Sequence, residues 1–216
     1  MHFTGAPYLD FIVQKLYTPE DEVRAKFGLK SNEPFLLVLQ HPVTTEPENS
    51  YMDMTQVLNA VKKSNMRAII AYPCSDQGYQ GIINAIEEEQ GNPLFSIHKN
   101  IPAEDFIGLE AIASALVGNS SAGIYEAPYV GCPVVNVGKR QEGRECELNV
   151  LNSPTDYKSI LFRINKILDL GLRIVFGSIL GRPGAIYGDG RAHERIVHVL
   201  RTVKLDTALF EKKMMF

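Results

Sequence analysis

From Phe35 to Val137 the chain alternates apolar runs too short for a helix with longer segments whose apolar residues recur every three or four positions. Phe35-Leu36-Leu37-Val38-Leu39 is the first run, and Tyr51 to Ser64 follows it with Met54, Val57, Leu58 and Val61 at helical spacing. A strand at Arg67 to Tyr72, a helix ending at Gln90 and a strand near Leu94 to Ile97 continue the pattern. Next come a helix opened by Pro102 that carries Phe106, Leu109 and Ile112, and a short strand at Ala115 to Gly118. A helix from Ser121 to Val130 and a strand at Pro133 to Val137 complete it. Strands that are apolar along their whole length need cover on both faces. The expected fold is therefore α/β, a doubly wound parallel sheet with right-handed crossovers. Ligands of such sheets sit at the carboxyl ends of the strands, which directs attention to the loops after Leu39, Tyr72 and Val117.

The flanks are less regular. Thr18-Pro19-Glu20-Asp21-Glu22 has an N-cap residue, a proline at the first helical position and acids in the first turn, with Gly28 as a stop, so a short helix is expected over 17–29. Tyr157 to Gly171 has helical spacing, the stretch from Gly171 to Gly184 is apolar but broken by glycines and yields no element, and 191–205 reads as a closing helix. No repeat or flexible linker divides residues 1–216, which are expected to form a single domain. At 45% hydrophobic and 22% charged residues the composition is that of a globular protein rather than a disordered one. The net charge of −3 gives no general attraction to nucleic acid or an anionic membrane, so neither is an expected partner and any anion must be met locally. Cys74, Cys132 and Cys146 have no zinc spacing, and the first seven residues have neither a basic nor an apolar leader region. The expected location is the reducing cytoplasm.

Five places could carry chemistry. Gly118-Asn119-Ser120-Ser121-Ala122-Gly123 puts small, backbone-exposing residues between a strand and a helix, where free N–H groups and two hydroxyls suit a phosphate. Serines at such a place also simply cap helices. Glu126, five residues beyond Ser121, could accept hydrogen bonds from the paired hydroxyls of a ribose, or be a solvated side chain. Arg140 and Arg144 stand in a glycine-containing loop after the strand ending at Val137, where guanidinium forks could meet phosphate oxygens or merely form a charged loop. His41, directly after the first strand and fixed by Pro42, could move a proton or hold a phosphate, although a lone loop histidine commonly does neither. Asp189, in Tyr187-Gly188-Asp189-Gly190, could merely sit in a tight turn, or cap the last helix and support the site from behind.

Taken together, Gln40-His41-Pro42-Val43-Thr44-Thr45, Gly118-Asn119-Ser120-Ser121, Gly131-Cys132-Pro133-Val134-Val135-Asn136, Arg140-Gln141-Glu142-Gly143-Arg144-Glu145 and Tyr187-Gly188-Asp189-Gly190 resemble, in order and spacing, the hydrolysing UDP-N-acetylglucosamine 2-epimerases of sialic-acid biosynthesis. The resemblance runs from about Thr4 to Leu205. It implies the rear, C-terminal lobe of a GT-B-type fold, in which two Rossmann-like lobes close over a UDP-sugar. The implied reaction eliminates UDP from UDP-GlcNAc and hydrates the resulting glycal to N-acetylmannosamine, with no metal or redox cofactor.

By position the resemblance makes Ser120, Ser121 and Gly123 the diphosphate turn, Glu126 the ribose acceptor, Arg140 a phosphate or closure contact, and His41 an imidazolium facing the departing diphosphate. Asp76 falls in a ligand loop, and the backbone from His98 to Ile101 falls near the uracil. Cys74 departs from the family, which carries asparagine there. The resemblance covers the rear lobe alone, so the family's front lobe is the implied partner, the isolated chain is expected to be inactive, and a complete enzyme is expected to be a homo-oligomer. Two other functions share these residues: a lobe of a GT-B glycosyltransferase, and a non-catalytic nucleotide-sugar sensor.

Overall fold

A computed structural model describes residues 2–173, 175 and 186–205. Six strands form one parallel sheet in the order β3-β2-β1-β4-β5-β6. They are β1 (Phe35–Leu39), β2 (Arg67–Ala71), β3 (Phe95–His98), β4 (Ala115–Gly118), β5 (Val134–Val137) and β6 (Val150–Ser153). The order reverses between β1 and β4, which pair from Leu36 opposite Ala115 to Leu39 opposite Gly118. The doubly wound parallel sheet expected from the sequence is therefore present.

The two-residue side-chain period of a strand sorts the apolar runs to two faces. Leu36, Val38, Ala68, Ile70, Val117, Val135 and Val137 face α3 (Ser50–Ser64), α4 (Tyr79–Glu87) and α7 (Tyr157–Asp169), which contribute Met54, Val57, Leu58, Ile82, Ile86, Ile160 and Ile164. Phe35, Leu37, Ile69, Leu116 and Val134 face the other way, onto Val23 of α2 (Glu20–Lys26), Leu109 of α5 (Ala103–Ile112) and Ala122 of α6 (Ala122–Tyr125). Most of these side chains are fully buried, worth about 1.5–3 kcal/mol each relative to exposure.

Three departures from the sequence reading have physical reasons. The helix expected from Ser121 to Val130 is broken: α6 is one turn long and is followed by a 3-10 turn over Ala127–Val130. Pro128 has no N–H to donate and disfavours helical backbone at the residue before it. The edge strand β6 was not expected, because only Val150 and Leu151 are apolar, both half-buried, and Asn152 and Ser153 follow them. Helix α1 (Tyr8–Val13) was not expected either, having no cap side chain at Pro7. It closes the fold: the Asp10 carboxylate accepts from the Ala192 and His193 N–H groups (3.0 and 2.7 Å) and meets His193 Nδ1 at 2.6 Å.

Asp10 thus caps α8 (Ala192–Thr202) from the far end of the chain, and those bonds hold its carboxyl below the usual range despite burial. Asp189 accepts from Arg191 N–H at 3.2 Å and pairs with Arg195 at 2.6 Å. Most of the glycine-broken stretch 171–184 lies outside the described residues. Among the described residues no helix is long and apolar enough to cross a membrane.

Candidate functional site

The loops after β1 and β4 meet at the strand-order reversal, and three residues fix their approach. Gly118 has φ +139°, and a Cβ there would lie 2.1 Å from the Leu39 carbonyl oxygen, so no side chain fits. Asn119 then clamps the β1 loop: its Oδ1 accepts from His41 N–H at 2.7 Å and its Nδ2 donates to the His41 carbonyl at 2.9 Å. The Asn119 carbonyl in turn accepts from Gln141 Nε2 at 2.7 Å and Arg140 Nη1 at 3.2 Å. Asparagine suits this place because one side-chain amide satisfies both polar groups of a neighbouring peptide.

The clamp holds the turn Ser120-Ser121 at the floor of an open cleft of about 770 Å³. His41, Tyr72, Cys74, the segment Lys99-Asn100-Ile101, Phe106 and Glu126 form its walls, and Tyr8 of α1 closes one side. Ser120 Oγ accepts from Ala122 N–H at 3.2 Å, which leaves its own proton to donate. The N–H groups of Ser120 and Ser121 donate to no acceptor among the described residues. With one turn in α6 there is little helix dipole behind them. What the turn offers an anion is local amides and hydroxyls instead.

His41 is held in one orientation, because Cys74 N–H donates to Nδ1 at 3.1 Å. In the neutral ring the proton is then on Nε2. Burial, and then the Arg140 guanidinium, push the imidazole down to about 4, against a smaller upward pull from Asp76. The neutral ring is therefore the favoured form at neutral pH, since Arg140 opposes a second proton. Burial raises Glu126, and behind it the fully buried Glu110 is raised well above the usual carboxyl range. Both Glu110 oxygens lack a partner among the described residues, as suits an uncharged acid.

The cleft brings together His41, Ser120, Ser121 and Glu126, but not every expected residue. Gly123 is buried, its N–H donates to the Ser120 carbonyl at 3.2 Å, and a Cβ would lie 2.8 Å from Val134 Cγ1. It lets α6 approach the sheet and is not among the residues lining the cleft. The His98 side chain points to the α2 face, against the Phe27 ring at 4.9 Å and Ser96 Oγ at 2.8 Å, because residues 96 and 98 share one side of β3. Its carbonyl accepts from Tyr72 N–H at 3.0 Å, so Lys99 to Ile101 line the cleft in its place. Arg140 and Asp76, 3.8 Å apart, stand beyond His41 with Thr44 and Thr45, and Arg140 braces the turn from behind. Tyr8 had no signal of its own in the sequence; its helix carries no polar motif.

The profile of the family described as UDP-N-acetylglucosamine 2-epimerase matches residues 1–201. A UDP-N,N'-diacetylbacillosamine 2-epimerase (hydrolyzing) of Legionella pneumophila is 32% identical over 208 residues, covering 96% of this chain and 53% of its own length. A UDP-N-acetylglucosamine 2-epimerase of Neisseria meningitidis is 32% identical over 171 residues, covering 79% and 45%. The chain thus spans about half the length of these curated relatives. Among solved structures, the UDP-GlcNAc 2-epimerase of Neisseria meningitidis bound to UDP-GlcNAc superposes with TM-score 0.69 over 93% of this chain and 55% of its own, at 14% identity. That of Methanocaldococcus jannaschii, in complex with UDP-GlcNAc and UDP, gives 0.64 over 94% and 55%, also at 14%. These two show the same fold. Since the profile runs through the sheet, the Ser120-Ser121 turn and the Asp10-capped closing helix alike, this chain belongs to the UDP-N-acetylglucosamine 2-epimerase family.

Proposed function

We propose that the chain is the nucleotide-binding half of a hydrolysing 2-epimerase acting on a UDP-linked N-acetylhexosamine. The observation that carries this reading is the Ser120-Ser121 turn with its unengaged amides on the floor of a cleft that Glu126 and His41 flank. In this proposal the diphosphate rests on the Ser120 and Ser121 N–H and hydroxyl groups, and the ribose hydroxyls donate to Glu126. The base lies along Lys99 to Ile101. The relatives named for UDP-GlcNAc and for UDP-N,N'-diacetylbacillosamine fit the substrate class and leave the substituent at the sugar's C4 open.

In the reaction, the C2 proton and the C1–O bond to UDP are lost together, giving UDP and a 2-acetamidoglycal. Water then adds across C1 and C2 to release the free 2-epimer, N-acetylmannosamine in the case of UDP-GlcNAc. His41 would present Nε2–H to the leaving diphosphate. A bound anion offsets Arg140 and favours a second proton on the ring, so the positive charge is strongest as negative charge develops. No metal or redox cofactor enters these steps. The groups that take the C2 proton and deliver water are assigned to the front lobe implied by the family, in a cytoplasmic and homo-oligomeric complete enzyme.

The test supplies UDP-GlcNAc to the purified chain with and without a front lobe from a relative. The expected result is UDP release and free N-acetylmannosamine from the combination and no measurable turnover from the chain alone. Sugar transfer to an added acceptor would indicate a glycosyltransferase instead, and UDP binding with no turnover in either setting would indicate a sensor.

A further inference from the structure

Tyr8 borders the nucleotide cleft together with Glu126, although more than a hundred residues separate them in sequence. Its position is fixed on both sides: Ala6 N–H donates to the Tyr187 carbonyl at 3.0 Å, and Asp10 is tied to the start of α8. The Tyr8 ring meets the Tyr125 ring edge-on at 6.4 Å, and Tyr125 immediately precedes Glu126. Tyr125 is held in turn by the Tyr187 ring, edge-on at 4.4 Å, and by the Arg144 guanidinium 5.3 Å over its face. Tyr187 is anchored through its hydroxyl, which donates to the Glu145 carbonyl at 2.6 Å. A row of rings thus sets Tyr8 beside the carboxylate.

The polar end of that row is unused. Tyr8 is 45% exposed, and its hydroxyl has no hydrogen-bond partner among the described residues; the Glu126 carboxylate has none either. Burial, and then the Glu126 charge, raise the phenol, so Oη keeps its proton and is a donor at neutral pH. The two groups are close enough to feel one another, are not bonded, and face the same cavity. A carboxylate only accepts, whereas a sugar hydroxyl both donates and accepts. A ribose hydroxyl that gives its proton to Glu126 therefore keeps lone pairs that need a donor. Lys99 also borders the cleft, but burial is what raises Glu126 and no cation among the described residues offsets it. Lys99 is thus too far from that carboxylate to share a hydroxyl with it.

We propose that Tyr8 is a ribose-binding residue: its hydroxyl donates to the ribose hydroxyl whose proton Glu126 accepts, and the pair selects a ribonucleotide. The inference rests on the reading that a nucleoside diphosphate occupies this cleft, and it adds to that reading a contact from α1.

The test measures the affinity of the chain for UDP and for 2′,3′-dideoxy-UDP in the wild type, Tyr8→Phe and Glu126→Gln. Tyr8→Phe keeps the ring against Tyr125 and loses only the hydroxyl, so the midpoint of urea unfolding is expected to stay in place. It is expected to bind UDP about two- to tenfold more weakly than the wild type, as befits one hydrogen bond between uncharged groups, and to bind the dideoxy ligand equally well. A ring with a merely structural role would weaken both ligands alike. Unchanged UDP affinity in Tyr8→Phe, or an equal loss for the two ligands, overturns the proposal. If Glu126→Gln still tells the two ligands apart in that event, only the role of Tyr8 falls. If Glu126→Gln also treats them alike, the ribose site itself falls with it.

Discussion

Acidification tests the environment assigned to His41. Its imidazole has a pKa of about 4 in the folded chain against an ordinary 6.5, with burial the larger cause and Arg140 the second. As pH falls below 6.5 the unfolded chain binds this proton and the folded chain does not, so stability drains away until the folded ring protonates near pH 4. The interval, at ~1.4 kcal/mol per pH unit, amounts to about 3 kcal/mol that is present above pH 6.5 and lost by pH 4. Acid also removes stability held by Asp10, Asp105 and Asp189, whose carboxyls lie below their usual range, and by His98, which burial lowers too.

The informative quantity is therefore a difference. In His41→Gln the amide oxygen can still accept from Cys74 N–H, and nothing titrates. Urea unfolding of both proteins at intervals from pH 7.5 to 4 should show the wild type losing about 2–3 kcal/mol more than the variant. A difference that stays flat across that range, or a His41 ring resonance that titrates near 6.5, would refute the buried, Arg140-opposed imidazole.

Three further perturbations separate structural from binding roles. Gly123→Ala places a methyl 2.8 Å from Val134 Cγ1 and should cost about 1–3 kcal/mol in urea unfolding, partly restored by Val134→Ala, with UDP affinity by calorimetry unchanged. Asn119→Ala removes both partners of the His41 peptide and should cost about 2–4 kcal/mol in the same assay, while its ring resonance moves back toward 6.5. Glu126→Gln should weaken UDP binding about tenfold, the worth of charge-assisted bonds to a ribose, without lowering the midpoint of unfolding.

Much of the fold was legible because the strands are buried on both faces: runs such as Phe35 to Leu39 and Arg67 to Ala71 cannot hide their apolar character. The edge strand β6 and helix α1 were not legible, since one is half-exposed with a polar interruption and the other is held by Asp10 bonding residues more than 180 positions away. At the candidate site, Ser120, Ser121, Glu126 and His41, expected at the carboxyl ends of the strands, do line one cleft. Gly123 and His98 do not line it, for a reason the sequence does not carry. A motif fixes position along the chain, whereas the direction a side chain takes is set by packing, here against Val134 and Phe27. The influence of Arg140 on the His41 ring was not legible, because the two are distant in sequence and adjacent in space.

The central claim is that the Ser120-Ser121 amides receive a diphosphate. Backbone amide shifts of the labelled chain, followed during titration with UDP and then with uridine, test it most directly. The account predicts that UDP moves Ser120 and Ser121 most strongly and that uridine leaves them in place. Equal shifts with uridine, or UDP shifts that bypass these two residues, would contradict it.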